Sequence, residues 1–168
     1  MKYFLSFIVL MLSFFSFCVS GACAETLKAG IEMDDYIPET FYGTWRVAAK
    51  LVNTDSHKLF KDSTIDLWNI SRSDNVITLE NPTTNATASI TVTKADNNGV
   101  TFEKITGNDS KKLYDRVELN MKKNSFDGVN YITVKTFSSD GKSVVKVETA
   151  KYSLYGEKIS GFNAITGE

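Results

Sequence analysis

Apolar and polar residues alternate along most of the chain from Phe41 onward, a pattern typical of strands that bury one face and expose the other. The stretch 86–94 shows it most clearly: aliphatic residues occupy every second position up to Val92, with Thr or Ser between them. Beyond Phe41 the sequence carries no sustained 3.6-residue apolar stripe, and Val, Ile, Thr, Tyr and Phe recur in short runs. We therefore predict an all-β fold.

Clusters of Asn, Asp, Ser and Gly separate these runs at short intervals, and such residues favour tight turns. One of these turns is predicted at 124–128, and only the connection 54–62 is longer than a hairpin turn. The predicted strands are 41–53, 63–71, 75–81, 86–94, 100–106, 112–122, 129–137 and 143–154, with a short ninth strand at 158–164 as an addition. Eight strands in a meander usually close on themselves because closure removes exposed edges. The expected architecture is an eight-stranded antiparallel up-and-down barrel with an apolar interior.

The first 24 residues form a different kind of segment. Lys2 precedes the 16-residue apolar run Phe4–Val19, and the small residues of Ala22-Cys23-Ala24 follow. This is the pattern of a secretory signal peptide, and the run is shorter than the ~20 apolar residues that span a bilayer. We predict cleavage after Ala24, giving an exported protein in the periplasm or outside the cell. Residues 25–40 would be an acidic lead-in with room for one helical turn, and 41–168 the barrel domain.

A second interpretation of the same segment makes the protein a lipoprotein. Ser20-Gly21-Ala22-Cys23 resembles the end of a bacterial lipobox, in which a lipid is attached to the cysteine. That motif usually has Leu or another branched apolar residue three positions before the cysteine, where this chain has Ser20. We keep lipidation of Cys23 as the minor alternative, and a membrane is an expected partner only if it holds.

The net charge and the cysteine content of the chain change when the predicted signal peptide is left out. The remaining 144 residues hold 18 basic and 20 acidic residues, a net charge of −2, and no cysteine. The barrel would thus depend on its core without disulfides, and it lacks the positive field that binds nucleic acid. His57, the only histidine, lies in the polar loop 54–62, and no nucleophile-elbow motif is present. We expect no enzymatic activity, no metal and no cofactor.

The most specific local motif is Phe41-Tyr42-Gly43-Thr44-Trp45-Arg46-Val47 at the start of the first strand. Together with the signal peptide, the long first loop and seven hairpin-linked strands, it resembles the lipocalins and the wider calycin group over residues 38–165. Short lipocalin-like domains of bacterial exported proteins are included in that resemblance. It implies that Trp45 packs at the closed end of the barrel beneath a late Arg. Because no Arg follows Arg116, that partner is either missing or replaced by a Lys such as Lys158. The usual Thr-Asp-Tyr element and terminal helix are absent, which indicates a divergent, minimal member.

The leading functional hypothesis is a non-catalytic protein that holds a small apolar or amphipathic molecule in the barrel lumen. Trp45 would form the floor, and the loop around His57 would flank the mouth. The candidate lumen residues, chosen by alternation, are Trp45, Val47, Ala49, Leu51, Ala88, Ile90, Val92, Phe102, Asp115, Val117, Leu119 and Met121. Burial of apolar surface would drive binding, and a few polar contacts would set the orientation.

Asp115 is the one charged residue on the apolar face of the sixth predicted strand. In the lumen it would cost free energy unless paired, and it could orient the polar head of a ligand. The alternative is a bulge near the start of the strand that turns Asp115 outward. We favour the bulge, because bulges are frequent at barrel rims.

Two other functions stay open. One is a packed module of the cell envelope that binds another protein through its outer face or loops, which large inward side chains at Phe102, Phe137 and Tyr152 would favour. The other is an enzyme on the same barrel, which would need a polar pair inside the lumen; Asp115 with an inward Tyr is the only hint of one.

Overall fold

Eight antiparallel strands follow one another around a closed barrel in the computed structural model, which describes residues 37–161. Each strand pairs with the next, and the last pairs with the first. A short 3₁₀ helix, Glu39–Phe41, precedes the barrel. The strands are β1 Gly43–Thr54, β2 Ser63–Ser73, β3 Val76–Asn81, β4 Ala86–Asp96, β5 Gly99–Gly107, β6 Lys111–Met121, β7 Ser125–Phe137 and β8 Val144–Ser160. The predicted fold class is confirmed, whereas the predicted signal peptide and most of the lead-in lie outside the described residues.

The seventh strand differs most from its prediction. β7 begins at Ser125, so the turn predicted at 124–128 is wrong, and the connection from β6 is limited to residues 122–124. Phe126 explains the difference, because its side chain is fully buried and its backbone pairs with Met121 on one side and Gly156 on the other. Burial of that ring draws the Asp-Gly sequence that follows it into the strand.

The last strand is also longer than predicted. β8 stays paired with β1 as far as Ser160, with a bulge at Thr44 and Trp45. Residues 158–160 of the predicted ninth strand are therefore the end of β8, and residues 162–164 lie outside the described part of the chain.

Aromatic side chains fill one end of the barrel, which we call the floor. Trp45 is fully buried there, and its indole Nε1 donates a hydrogen bond to the carbonyl of Phe41 at 3.0 Å. The ring of Phe126 lies 5.1 Å from that of Trp45, and Phe41 lies 5.9 Å from Phe102. Gly156 makes room for Phe126, because a Cβ on Gly156 would lie 2.2 Å from the phenyl ring. The floor is thus a closed aromatic plug, with Trp45 where the sequence predicted it.

Lys158 covers the outer side of this plug. Its Nζ lies 4.9 Å from the centroid of the Trp45 ring and donates a hydrogen bond to the carbonyl of Thr40 at 2.8 Å. Burial lowers the pKa of the Lys158 ammonium below its usual value. Lys158 therefore supplies a late cation over Trp45, which was one of the two alternatives that the sequence left open.

Removing that cation should weaken the floor. We expect Lys158→Met to lower the free energy of unfolding by about 0.5–1 kcal/mol, because the ammonium is held by the indole face and one carbonyl. Lys158→Arg should retain the stability of the wild type, since a guanidinium also stacks on an indole. Urea unfolding of the three proteins tests this, and equal stability of the Met variant and the wild type would contradict it.

Candidate functional site

The half of the barrel opposite the floor is not filled by side chains. A cavity of about 350 Å³ lies inside it between β1, β2 and β5–β8. Its apolar walls include Val47, Ala49, Leu113, Ile132 and Leu154. A second cavity of about 370 Å³ runs along β2–β5 and shares Asp66, Trp68, Lys104 and Thr106 with the first. We take these two adjoining cavities together as the lumen site.

A charged pair lies inside the lumen site. Lys104 on β5 and Asp115 on β6 are directly opposite in the antiparallel register, and Lys104 Nζ lies 2.9 Å from Asp115 Oδ2. Asn130 on β7 donates a hydrogen bond from Nδ2 to Asp115 Oδ1 at 3.3 Å. Only 4% of Asp115 is exposed, and a buried carboxylate is tolerated when it is paired in this way.

This geometry corrects the preferred interpretation of Asp115. β6 pairs with both β5 and β7 without a register shift from Lys111 to Met121, so no bulge turns Asp115 outward. The carboxylate faces the lumen because Lys104 and Asn130 compensate its charge. Lys104 was missed, although it stands two positions after the inward Phe102 and so shares its face.

A second carboxylate, Asp66 on β2, lines both cavities. Its Oδ1 accepts a hydrogen bond from Asn81 Nδ2 at 3.3 Å. Within residues 37–161, no Lys, Arg or His nitrogen lies within 4.0 Å of this carboxylate. Asp66 is therefore a negative charge in the lumen site that protein cations leave uncompensated at contact distance.

The sequence-based lumen residues divide by depth. Val47, Ala49 and Asp115 line the first cavity, and Ala88 lines the second. The other residues lie in or against the packed core rather than at either cavity of the lumen site. Those buried in the core are Trp45, Ile90, Val92, Phe102, Val117 and Leu119, and those packed against it are Leu51 and Met121. Alternation thus identified which residues face the barrel interior, but not whether each lies at a cavity or in the packed core.

The three large residues that would favour a packed module, Phe102, Phe137 and Tyr152, differ in their burial. Phe102 is buried in the barrel core, whereas Tyr152 is buried where it lines the first cavity. Phe137 is only partly buried, and Lys112 Nζ lies 5.8 Å from its ring centroid. The barrel is therefore packed in one half and hollow in the other.

The loop 55–62 closes over part of the mouth, the end where β1 stops and β2 starts. Tyr152 Oη donates a hydrogen bond to the carbonyl of Lys61 at 2.9 Å, and burial raises the pKa of this phenol. Phe60 is buried, whereas His57 is exposed on the loop. The loop thus flanks the mouth as predicted, and the Tyr152 hydroxyl is engaged by the loop backbone.

Two carboxylates fasten this loop to β8. Asp55 accepts hydrogen bonds from the backbone N–H of Thr149 at 2.8 Å and from its hydroxyl at 2.9 Å, which lowers the pKa of Asp55. Glu148 Oε1 lies 2.8 Å from Lys146 Nζ and accepts a hydrogen bond from the Ser56 hydroxyl at 2.6 Å; these contacts lower the pKa of Glu148.

These contacts predict acid sensitivity of the barrel. The folded chain holds both pKa values below their ordinary values of 3.8 and 4.5, so the unfolded chain takes up protons first as the pH falls. The stability that Asp55 and Glu148 contribute is present above those values and is lost below them. We expect the melting temperature to fall between about pH 5 and pH 3, and to fall less in the Asp55→Asn/Glu148→Gln double variant. Asp109→Asn, in an exposed turn, is the control; an unchanged slope in the double variant would contradict the prediction.

Two larger clefts, of about 450 and 490 Å³, lie beside turns. The first surrounds the turn between β4 and β5, where Asn98 N–H donates to Asp96 Oδ1 at 2.9 Å, as expected of a hairpin. The second lies between residues 109–112 and the loop after β7. Both clefts lie at the surface beside turns and are lined mostly by polar residues, so we place the candidate site in the lumen.

The described residues contain no group of three or more His, Cys, Asp or Glu side chains arranged to hold a metal ion. Between residues 37 and 161, no helix is long and apolar enough to cross a membrane. Fold and site together define the class as an eight-stranded up-and-down β-barrel with a partly hollow lumen. The chain has no significant match among family models, curated proteins or solved structures.

Proposed function

We propose that this chain is an exported, lipocalin-like binding protein that holds a small amphipathic molecule in the lumen of its barrel. One observation carries the proposal: the barrel is plugged at the Trp45 floor and hollow at the other end, where apolar walls surround the Lys104–Asp115 pair. Lipocalin-like membership is supported by the sequential closed barrel and by Lys158 over Trp45.

The size and lining of the lumen support a small ligand. A cavity of about 350 Å³ is at the low end of the range of about 300–1,000 Å³ found for ligand pockets. Contact with Leu113, Ile132 and Leu154 would remove apolar surface from water and drive binding. The polar groups on one side of the same cavity would orient the ligand head.

Trp68 offers a direct test, because it lines both cavities while Trp45 is buried in the floor. We expect titration with n-octanol to change the tryptophan emission saturably in the wild type and in Trp45→Phe. The change should disappear in Trp68→Phe. Native mass spectrometry of the purified protein would show any molecule that it retains from its source.

A blocked lumen gives the matched control. Ala49 faces the cavity, and its neighbour Ala48 lies on the opposite face of β1. Ala49→Phe should fill the cavity and abolish octanol binding, whereas Ala48→Phe should leave it unchanged. Octanol binding by a folded Ala49→Phe variant equal to that of the wild type would overturn lumen binding.

Export is supported by the sequence of residues 1–24 alone. The intact mass of the protein recovered from its source cells tests it. A chain that begins at Glu25 supports cleavage by a signal peptidase, and a lipid on an N-terminal Cys23 supports the lipoprotein alternative. A chain that retains residues 1–24 would overturn both.

The alternative function, an envelope module that binds another protein, is favoured by one feature of β8. β8 pairs with β1 only from Ala150 to Ser160, so the part of β8 before Ala150 has no partner on the β1 side. In that part, Val145 and Val147 are 62% and 49% exposed. Under this alternative, photo-crosslinking from position 145 in intact cells should give one defined adduct that Val147→Lys abolishes. Lumen binding of octanol should be unaffected by that substitution.

A further inference from the structure

The charges that line the lumen site do not balance. Asp66, Lys104 and Asp115 are the carboxylates and the lysine of its lining, and together they carry a formal charge of −1. Lys104 is engaged by Asp115 at 2.9 Å, so it offers little to a ligand anion. Asp66 has only the Asn81 amide as a hydrogen-bond donor among the described side chains. The charge left for a ligand to neutralise is therefore that of Asp66.

An unsatisfied hydrogen-bond acceptor also favours a ligand that donates hydrogen bonds. Asn130 lines the first cavity, and its Oδ1 is buried without a donor in residues 37–161. The opposite orientation of this amide would place Oδ1 against the Asp115 carboxylate, where two oxygens would repel each other. The Asn130 nitrogen thus belongs on Asp115, and the oxygen is left as an acceptor that needs a donor.

We infer that the amphipathic ligand of the lumen carries a protonated amine at its polar end. This inference rests on the proposed function and specifies its ligand class. The ammonium supplies a positive charge and N–H donors, which match the Asp66 carboxylate. Asn130, whose buried oxygen lacks a donor, is a lining residue of the same cavity. The apolar part of the ligand lies against Leu113, Ile132 and Leu154.

Other polar heads fit less well. A carboxylate would meet Asp66 and a lysine that Asp115 already neutralises, and it would bring no donor for Asn130. A hydroxyl could donate one hydrogen bond but would leave the charge of Asp66 uncompensated. The order of affinity should therefore be amine, then alcohol, then carboxylate.

The test compares n-octylamine, n-octanol and n-octanoate at neutral pH by titration of Trp68 emission on the wild-type protein. The three probes share one apolar chain and differ in the head, so the comparison needs no variant. We expect octylamine to bind at least about tenfold more tightly than octanol, the gain of a charge-assisted contact over a neutral one. Octanoate should bind more weakly than octanol.

Asp66→Asn then locates the effect. It removes the charge and keeps the size, so the ratio of octylamine affinity to octanol affinity should fall toward one. Glu103→Gln, which removes one negative charge from an exposed position on β5, is the matched control and should preserve the wild-type ratio. Retention of the full amine preference in Asp66→Asn would overturn the role of Asp66.

The outcomes separate this inference from the proposed function. Equal affinity for the three probes would overturn the amine head and leave lumen binding intact. Tighter binding of octanoate would also overturn it and would indicate Lys104 as the partner of the ligand head. Failure of all three probes to bind would overturn the proposed function as well.

Discussion

Trp45→Ala is expected to lower the free energy of unfolding by about 3–5 kcal/mol, the range found for truncating a fully buried Trp. The substitution would empty the centre of the floor, where the indole packs 5.1 Å from Phe126 and beneath the Lys158 ammonium. It would also leave the Phe41 carbonyl without its indole donor. Loss of that bond would remove one of the contacts that hold the 3₁₀ helix against the barrel.

Trp68→Ala is the control for this prediction, because it removes the same side chain from the border of the cavity. Trp68 is only partly buried, and on its lumen side it faces space rather than packed atoms. We expect the Trp68 variant to lose clearly less stability than the Trp45 variant in urea unfolding. Equal losses would mean that the floor is no better packed than the lumen.

The fold was predictable because its signal is local. A period of two assigns each residue to a face without knowledge of its distant partners, and short turn clusters assign neighbouring strands to hairpins. Trp45 and Val47 were therefore both placed inside. Their different depths, one in the floor and one at the cavity, depend on how the strands are staggered around the barrel, which the sequence does not display.

Asp66 and Trp68 escaped prediction for a related reason. In β2, apolar residues occur at 65, 67, 68 and 70, so alternation fits either face. Pairing with β1 decides the matter, because Trp68 lies opposite Trp45 and Ile65 is left 63% exposed. A sequence pattern with two equivalent phases cannot show which carboxylate enters the lumen.

Phe126 shows the opposite failure, in which local turn chemistry was misleading. Asn124 and the Asp-Gly pair that follows Phe126 favour a turn. Burial of the phenyl ring outweighs that preference, since its space in the floor is provided by the distant Gly156. Only the tertiary contact makes this segment a strand.

Lys104→Met is expected to lower the free energy of unfolding by about 2–3 kcal/mol, because it leaves the Asp115 carboxylate buried without its cation. The value is placed below the range of about 3–5 kcal/mol for fully buried pairs, since 23% of the Lys104 side chain is exposed. The double variant Lys104→Met/Asp115→Leu should recover most of the loss, because it removes both charges and fills their space with apolar atoms. Urea unfolding of the two variants and the wild type measures this.

The same pair of variants relates stability to ligand choice. Lys104→Met raises the negative charge of the lumen lining from −1 to −2, so this less stable protein should bind n-octylamine more tightly than the wild type does. The double variant has a charge of −1 again, from Asp66 alone, and should bind octylamine with nearly wild-type affinity. A double variant as unstable as Lys104→Met would show that Asp115 is not held by Lys104. Loss of octylamine binding in a stable double variant would place the ammonium at Asp115 rather than at Asp66, because the double variant differs from Lys104→Met only at position 115.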